Sequence, residues 1–218
     1  MESKALNLWK QQLGTVPASV WDHTALETLI LADNGLAELP DGIGALTKLR
    51  PLDLGHNRLE DLPESLGQLV GLTDYLYLHD NQLTALRESL FSRLIHLRYL
   101  NVSDNRLTRL PDSIGNLLGL EELRADGNRL ITLPPPFGGL ISLQELHLRD
   151  NQLHVVPDAL RGLPRLSYLD LRGNPFTELP DWIVEWPNLQ KLDLRWVKLS
   201  TVPAAIGTLE ARGCRVLL

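Results

Sequence analysis

The stretch Leu143-Gln144-Glu145-Leu146-His147-Leu148-Arg149-Asp150-Asn151-Gln152-Leu153 is one copy of a phrase that runs along the whole chain. The phrase has the form Leu-x-x-Leu-x-Leu-x-x-Asn-x-Leu, and its asparagine returns every 23 or 24 residues. Seven positions carry it: Asn34, Asn57, Asn81, Asn105, Asn128, Asn151 and Asn174. A fixed period of this size means that one structural unit is stacked on copies of itself. The chain is therefore predicted to form a solenoid.

The spacing of the leucines predicts a short strand in each phrase. In Leu146-His147-Leu148 the leucines point into the core and His147 points outward, because side chains alternate along a strand. Copies stacked side by side make a parallel sheet with one exposed face. The asparagine falls where the chain leaves the strand, and its amide can pair with backbone groups that have no ladder partner. The seven asparagines are predicted to form a structural ladder.

A second phrase follows each asparagine. Its first copy is Leu39-Pro40-Asp41-Gly42-Ile43-Gly44-Ala45-Leu46, and a Leu-Pro or Val-Pro pair recurs in most repeats. Proline lacks a backbone donor and suits a turn rather than a central strand. The segment between this proline and the next strand is too short for a long helix. We expect one or two helical turns in each repeat, on the convex side.

Together the two phrases resemble the leucine-rich repeat family over residues 4–218. The Leu-Pro-x-x-Ile-Gly-x-Leu tail resembles its 23-residue Ras-group subclass, which occurs in intracellular plant and animal scaffolds and in many bacterial proteins. The resemblance implies an α/β solenoid, a curved horseshoe with a parallel concave sheet and short helical or 3₁₀ turns on its convex side. It also implies protein binding, with partners that vary freely across the family.

The unbroken period predicts one domain over residues 1–218. Residues 1–25 form a degenerate N-terminal repeat or cap, in which Gln11 takes the asparagine position. Residues 26–199 hold eight repeats, and in the last of them Val197 replaces the asparagine. Residues 200–218 form a C-terminal partial repeat or cap.

Irregularities cluster between residues 50 and 95. One extra residue near Asp74 lengthens the third strand phrase, and a bulge is the expected accommodation. Pro51 occupies an outward strand position, where its missing N–H should cost a ladder bond. Arg87 replaces the expected proline of the same repeat.

Composition narrows the possible partners and compartments. The chain holds 27 acidic residues against 21 lysines and arginines, and this net charge of −6 argues against nucleic-acid binding. No segment reads as a signal peptide or a membrane span. The lone Cys214 excludes an internal disulfide. We expect a cytoplasmic protein, or one delivered to a host cytoplasm if it is a bacterial effector, that binds a protein partner and no cofactor.

The outward positions of the eight strand phrases form the candidate binding surface. They hold ten acidic residues against five lysines and arginines, and all four tyrosines. Tyrosine is a common interface anchor. The predicted partner-binding residues are Tyr75, Tyr77, Tyr99, Tyr168, Arg124, Arg149, Arg172, Arg195, Trp196 and His147.

Each part of this surface has a structural alternative. The tyrosines can simply stack on cross-strand neighbours, since aromatic residues favour strands. The column formed by Arg149, Arg172 and Arg195 can be neutralised in a solvated ladder, whose members would be Asp150, Asp170 and Asp193.

Neither a metal site nor a catalytic site is predicted. His56, His79, Asp53 and Asp80 lie on adjacent strands, but they lack a regular ligand spacing. The chain has no glycine-rich phosphate loop and no Gly-x-Ser-x-Gly elbow. We therefore predict that the chain is not an enzyme.

Two classes of function remain. The favoured one is an interaction module or signalling scaffold that holds a protein partner on its concave face. The alternative is a structural or self-assembly module, with a homodimer formed through the chain end. The chain can also be the recognition domain of a larger signalling or effector protein.

Overall fold

The computed structural model describes residues 4–218 and contains one sheet of ten parallel strands, which follow one another in chain order. The strands are β1 (Ala5–Asn7), β2 (Thr28–Ile30), β3 (Leu52–Asp53), β4 (Tyr75–Tyr77), β5 (Tyr99–Asn101), β6 (Glu122–Arg124), β7 (Glu145–His147), β8 (Tyr168–Asp170), β9 (Lys191–Asp193) and β10 (Arg215–Leu217). Each strand pairs only with the strands of the neighbouring repeats. The predicted parallel sheet of a repeat solenoid is confirmed.

Short helical segments connect the strands. Seven are 3₁₀ turns: Ala18–Asp22, Asp41–Ala45, Glu64–Gln68, Asp112–Asn116, Pro135–Gly139, Asp158–Gly162 and Asp181–Glu185. Each of them follows a proline; Pro40, for example, has φ −63° and ψ 150°. Proline fixes this φ and needs no hydrogen-bond acceptor there, so the turn begins directly after it. Two segments are α-helices, α1 (Glu88–Phe91) and α2 (Ala204–Ala211).

The core is built from columns of leucines in register. Leu29, Leu52, Leu76 and Leu100 lie opposite one another on neighbouring strands, and all four are fully buried. Burying one such side chain contributes about 1.5–3 kcal/mol. Because the same column recurs through the sheet, each repeat is stabilised by the repeat before it and the repeat after it.

The seven asparagines form a continuous buried ladder. In a representative repeat, the Asn128 amide donates to the carbonyls of Val102 (3.0 Å) and Ala125 (3.1 Å). Its Oδ1 accepts the backbone N–H of Leu107 at 3.0 Å. The amide thus joins its own turn to the turn of the preceding repeat, and the other six asparagines do the same.

The extra residue of the third phrase is absorbed just before β4. In a regular repeat two consecutive N–H groups donate to one carbonyl, as those of Glu121 and Glu122 do to Arg98. Here the N–H groups of Arg98 and Tyr99 donate to two different carbonyls, those of Thr73 and Asp74, each at 3.2 Å, and Tyr75 then pairs in register with Tyr99. This local bulge leaves Tyr75 on the outward side of the sheet. Pro51 has the expected effect, since β3 begins only at residue 52 and is two residues long.

The strands at both ends of the sheet belong to irregular repeats. Leu6 of β1 lies opposite Leu29, and Val216 of β10 lies opposite Leu192. The first three residues of the predicted segment 1–25 lie outside the described residues. Across residues 4–218, no helix combines the length and apolar character needed to cross a membrane.

Candidate functional site

Three tyrosines form one cluster on the outward side of β4 and β5. The rings of Tyr75 and Tyr77 stack with their centroids 4.3 Å apart, and Tyr99 meets Tyr77 edge to face at 5.3 Å. All three side chains are partly buried. These residues, called here the tyrosine cluster, present joined aromatic surface in the middle of the sheet.

A cleft of about 290 Å³ opens beside the tyrosine cluster. Its lining residues are Asp74, Tyr75, Tyr77, Arg98, Tyr99, Glu121 and Glu122. The guanidinium of Arg98 donates to both carboxylate oxygens of Glu121, at 2.9 and 3.0 Å. Asp74 is held by Arg50 at 3.0 Å, so most charges of the cleft wall have a partner within the chain.

Asp53 on β3 differs from the acidic residues of the cleft wall, because it is not paired with a cation among residues 4–218. One oxygen of its carboxylate accepts the N–H of Gly55 at 2.9 Å. Burial of the rings raises the pKa of Tyr75 and of Tyr77, and the negative charge of Asp53 raises both pKa values further. Burial, reinforced by Glu122, raises the pKa of Tyr99 to about 12. The three hydroxyls therefore stay protonated at neutral pH and can donate hydrogen bonds beside an unneutralised carboxylate.

Arg124 lies between the tyrosine cluster and the next strands. Its Nε donates to Glu122 Oε1 at 2.6 Å, and its guanidinium carbon lies 6.0 Å from the ring centroid of Tyr99. The side chain thus covers the edge of the cluster, and its charge is already paired.

Tyr168 stands apart on β8. Its ring meets the imidazole of His147 edge to face at 5.0 Å, and the ammonium of Lys191 lies 4.4 Å from its centroid. Burial and then the charge of Asp170 raise its pKa to about 12. Tyr168 belongs to a second group of side chains rather than to the tyrosine cluster.

The arginine column is engaged within the chain. Arg172 binds Asp170 and lies 3.6 Å from Asp193, which is also held by Arg195 at 2.8 Å. Arg149 lies 3.3 Å from Asp150. These ion pairs are the ones expected from the structural alternative, in which Asp150, Asp170 and Asp193 neutralise the column.

The ladder differs from that alternative in one respect, because two of its carboxylates are not solvated. The side chains of Asp170 and Asp193 are 1% and 0% exposed. Burial by itself raises the pKa of Asp193, but hydrogen bonds from Arg195 and the charge of Arg172 hold that pKa below its usual value. The arginines fold back over the strand face, so these carboxylates lie beneath them instead of pointing into solvent.

Trp196 is exposed at the C-terminal end of the same face. Its side chain is flanked by Arg172 and Arg195, whose guanidinium carbons lie 5.7 and 5.9 Å from the ring, and 67% of the residue is exposed. Its φ is +68°. A bulky residue in this left-handed region is strained, which makes an exposed tryptophan here notable.

The left-handed conformation recurs at the residue before every ladder asparagine. Asp33, Asp80 and Asp104, for example, have φ between 51° and 57°. Aspartate and glycine dominate this position because they tolerate such a backbone. That preference was present in the sequence and would have marked Trp196 as an outlier.

His147 lies on the outward side of β7, as strand alternation predicts, but it is covered by its neighbours. The residue is only 8% exposed. It is covered because Tyr168 packs on one side of its ring while Glu122 and Glu145 reach over it from neighbouring positions. His147 Nε2 lies 3.6 Å from Glu122 Oε1 and 3.5 Å from Glu145 Oε2, and it has no hydrogen-bond partner.

The other histidines considered for a metal site come together only as a pair. His56 Nε2 lies 3.2 Å from His79 Nε2, and His56 Nδ1 lies 2.7 Å from Asp80 Oδ2. Within the described residues, groups of three possible ligands occur elsewhere: Glu122, Glu145 and His147, and also Asp126, His147 and Asp170. Sequence reasoning considered cross-strand ligands only around His56 and His79, and it missed these groups because it did not place acidic neighbours around His147.

The thiol of Cys214 offers no nucleophile at the surface. The residue is 3% exposed, and burial raises its pKa. A buried thiol with a raised pKa is inert at neutral pH.

A protein-family model described as leucine rich repeat matches residues 73–130 and 134–176. No curated protein matches the chain by sequence. The repeat is a non-enzymatic interaction fold, in line with the prediction that this chain is not an enzyme.

Solved structures agree over nearly the whole chain. A leucine-rich repeat protein of Leptospira interrogans is 29% identical with a TM-score of 0.74, and the match covers 97% of this chain and 65% of that protein. The ectodomain of the receptor kinase GASSHO1/SCHENGEN3 from Arabidopsis thaliana, solved with CASPARIAN STRIP INTEGRITY FACTOR 2, is 33% identical with a TM-score of 0.78. That match covers 88% of this chain and 24% of the receptor chain.

The leucine-rich repeat domain of the type III effector XopL is also similar. It is 26% identical with a TM-score of 0.73, and the match covers 92% of this chain and 78% of that domain. This chain thus spans less than two thirds of the Leptospira protein and of the plant receptor. Because the family model, these structures and the asparagine ladder all describe the same repeat, the chain belongs to the leucine-rich repeat family.

Proposed function

We propose that this chain is a protein-interaction module whose concave sheet binds a partner segment, with the tyrosine cluster as its main anchor. The observation that carries this proposal is the joined, partly buried aromatic surface of Tyr75, Tyr77 and Tyr99 beside an open cleft. Interfaces concentrate their binding free energy in a few aromatic residues set in partly desolvated pockets. Tyrosine hydroxyls that remain protonated add hydrogen-bond donors to that surface.

The charge pattern indicates the chemistry of the partner segment. Asp53 lies beside the tyrosine cluster without a cation of its own, whereas Glu121, Glu122 and Asp74 are already paired. A lysine or arginine of the partner can pair with Asp53 and lie against the face of a tyrosine ring. We therefore propose a partner segment that carries one basic residue next to apolar or aromatic residues.

The exposed Trp196 supplies a second contact at the far end of the sheet. From β4 to β9 there are five strand spacings of about 4.8 Å each, which gives roughly 24 Å. An extended segment of about seven residues covers that distance. A strained, exposed tryptophan flanked by two arginines fits the role of an anchor there.

The similar structures support a binding role. The Arabidopsis ectodomain was solved in complex with CASPARIAN STRIP INTEGRITY FACTOR 2, and another similar structure is of PEPR1 with AtPEP1. Each of these structures contains the similar protein together with a partner. By similarity of fold, we extend partner binding to this chain, but not the identity of either partner.

A displayed library of random peptides tests the proposal directly. Peptides selected on the wild-type chain should share a basic residue beside apolar ones. They should bind at least tenfold more weakly to the Tyr77→Ala/Tyr99→Ala variant and to Asp53→Asn. Trp9→Ala is the matched control, since Trp9 is 56% exposed and lies outside the tyrosine cluster. Selected peptides that bind the double variant at full strength, while it melts like the wild type, would refute the proposal.

A structural or self-assembly role is the competing function, and one observation favours it. Strand β10 pairs only with β9, so its other edge is open within the described part of the chain. Open strand edges can pair with another chain. Sedimentation equilibrium decides the point: a dimer that dissociates on Val216→Pro would favour self-assembly, and a monomer would favour the interaction module.

We also propose that the chain is of the Ras-group subclass, that it serves as a signalling scaffold and that it is located in the cytoplasm. The buried lone thiol of Cys214 suits a reducing compartment, because it has no partner for a disulfide. Fractionation of cells that express the protein from its own gene tests the location.

A further inference from the structure

His147 carries a buried nitrogen that the protein leaves without a partner. Its side chain is 10% exposed, and its Nε2 is shielded from solvent. This nitrogen neither donates nor accepts a hydrogen bond within residues 4–218. Buried polar atoms in native proteins are almost always paired, and an orphaned one calls for an explanation such as a bound ion. Nε2 points towards two carboxylates, not into apolar surroundings.

The geometry around Nε2 fits a shared cation better than hydrogen bonds. Glu122 Oε1 and Glu145 Oε2 lie 3.6 and 3.5 Å from Nε2, and each of the three residues offers one ligand atom that lies within 4.8 Å of the other two. Hydrogen bonds between nitrogen and oxygen are usually 2.7–3.2 Å long. Zinc bonds of about 2.0–2.2 Å in a tetrahedron place neighbouring ligand atoms about 3.4 Å apart.

The two carboxylates differ in how free they are. The side chain of Glu145 is 47% exposed and makes no other ion pair among residues 4–218. Glu122 Oε1 also accepts the Nε of Arg124 at 2.6 Å, so that arginine must share Glu122 with a cation or move aside. Glu145 is therefore the ligand that can be removed without disturbing another contact.

A second group of carboxylates lies around the same histidine but is already occupied. Asp126 and Asp170 each place an oxygen within 4.8 Å of a ring nitrogen of His147. Asp170 is held by Arg172 through both oxygens, and Asp126 accepts the backbone N–H of Arg149 at 2.9 Å. These two carboxylates are therefore engaged within the chain, whereas Glu145 is free of other ion pairs among residues 4–218 and Glu122 would share its charge between Arg124 and a cation.

We propose that Glu122, Glu145 and His147 Nε2 form a binding site for one divalent transition-metal ion of the zinc class. One imidazole nitrogen with two carboxylate oxygens suits zinc, whereas calcium and magnesium select oxygen ligands alone. Three protein ligands leave one position of a tetrahedron for water or for a donor group of a partner. The site lies on strands β6 and β7, and its Glu122 also lines the cleft beside the tyrosine cluster. Metal binding there does not require the proposed peptide binding.

Titration of the purified chain with zinc chloride, in buffer that contains excess magnesium, tests the site. We expect one strong site per chain by calorimetry and a higher melting temperature with zinc than without it. Glu145→Gln should weaken the affinity at least tenfold while leaving the zinc-free melting temperature unchanged. His147→Gln should abolish the site, and the d–d absorption of Co²⁺ in the wild type should report a tetrahedral site of nitrogen and oxygen ligands.

Two matched controls separate this site from other histidines. His154→Gln removes an exposed histidine away from the sheet and should leave zinc affinity unchanged. His56→Gln/His79→Gln removes the only other close pair of histidine nitrogens described above and should also leave it unchanged. Unchanged affinity in Glu145→Gln, or loss of the strong site in the His56/His79 variant, would overturn the proposal. Peptide binding measured in the presence of a chelator is a separate readout, so failure here is distinguishable from failure of the proposed function.

Discussion

Asn128→Ala should destabilise the protein by about 2–4 kcal/mol. The side chain donates to the carbonyls of Val102, Ala125 and Asp126, and it accepts the N–H of Leu107. The residue is buried, so water cannot replace these partners without opening the turn. Alanine removes all four contacts at once.

The magnitude follows from which groups lose their last partner. The N–H of Leu107 is left unpaired, and a buried donor without a partner costs about 1–3 kcal/mol. Each of the three carbonyls keeps another donor, from Asn105, Asn151 and the backbone of Asp104 respectively. The weakened carbonyls therefore add only about 1 kcal/mol together.

Asn101→Ala is the matched control for this prediction. Asn101 lies on the outward side of β5 and accepts a single hydrogen bond, from the N–H of Ser103 at 3.0 Å. Its loss should cost at most about 1 kcal/mol. Equilibrium unfolding in urea compares the two variants, with the slope of the transition checked against the wild type. Equal losses would show that the ladder role assigned to Asn128 is wrong.

Three further changes test the charges and the strain of the concave face and its flank. Arg172→Ala should lower the free energy of unfolding by about 3 kcal/mol, because it leaves buried carboxylates without one of their cations. Arg149→Ala, the control, should lower it by less than about 1 kcal/mol. Similar urea midpoints for the two variants would contradict this prediction. Glu88→Gln should cost less than about 1 kcal/mol at pH 7. Two backbone N–H groups of the next 3₁₀ turn donate to the Glu88 carboxylate and lower its pKa below the usual 4.5. The stabilisation from Glu88 is therefore present above pH 4.5 and is lost as the pH falls through the lowered pKa. In urea titrations from pH 7 to 3 the free energies of unfolding of the variant and the wild type should converge, and a growing difference would contradict this prediction. Trp196→Gly should change the free energy of unfolding by no more than about 1 kcal/mol, since relief of the strained left-handed backbone offsets the lost ring contacts. The selected peptides should bind this variant more weakly than the wild type. A large drop in the melting temperature would instead assign the ring a structural role.

The repeat period predicts the fold because it acts on every copy at once. A leucine at each inward position and an asparagine at each turn leave the chain few ways to bury its apolar side chains other than by stacking. Even the irregular third phrase obeys this logic: the residue added near Asp74 is absorbed before β4, and Tyr75 keeps its register with Tyr99. The position of each tyrosine on the sheet therefore follows from the sequence.

The burial of side chains on the outward face does not follow from the same period. His147, Asp170 and Asp193 occupy outward positions, yet long neighbouring side chains cover all three. Which neighbour folds over which depends on residues in adjacent repeats, such as Glu122 and Tyr168 around His147. It also depends on rotamers within one strand, as with Arg172 over Asp170. A pattern of single positions carries no information about such pairs. The sequence therefore offered a solvated ladder as one alternative, where the structure has buried carboxylates at Asp170 and Asp193.

This difference changes where binding free energy can come from. Counting outward residues gives a face with twice as many acids as bases, which suggests an evenly acidic surface. In the structure, the acids of β8 and β9 are buried beneath Arg172 and Arg195, so they are neutralised before any partner arrives. Asp53, beside the tyrosine cluster, has no ion pair among residues 4–218 and lies near partly exposed aromatic surface. A basic segment should therefore lose most of its affinity on Asp53→Asn, and its affinity should change little on substitutions around the paired charges of β8 and β9 that preserve stability.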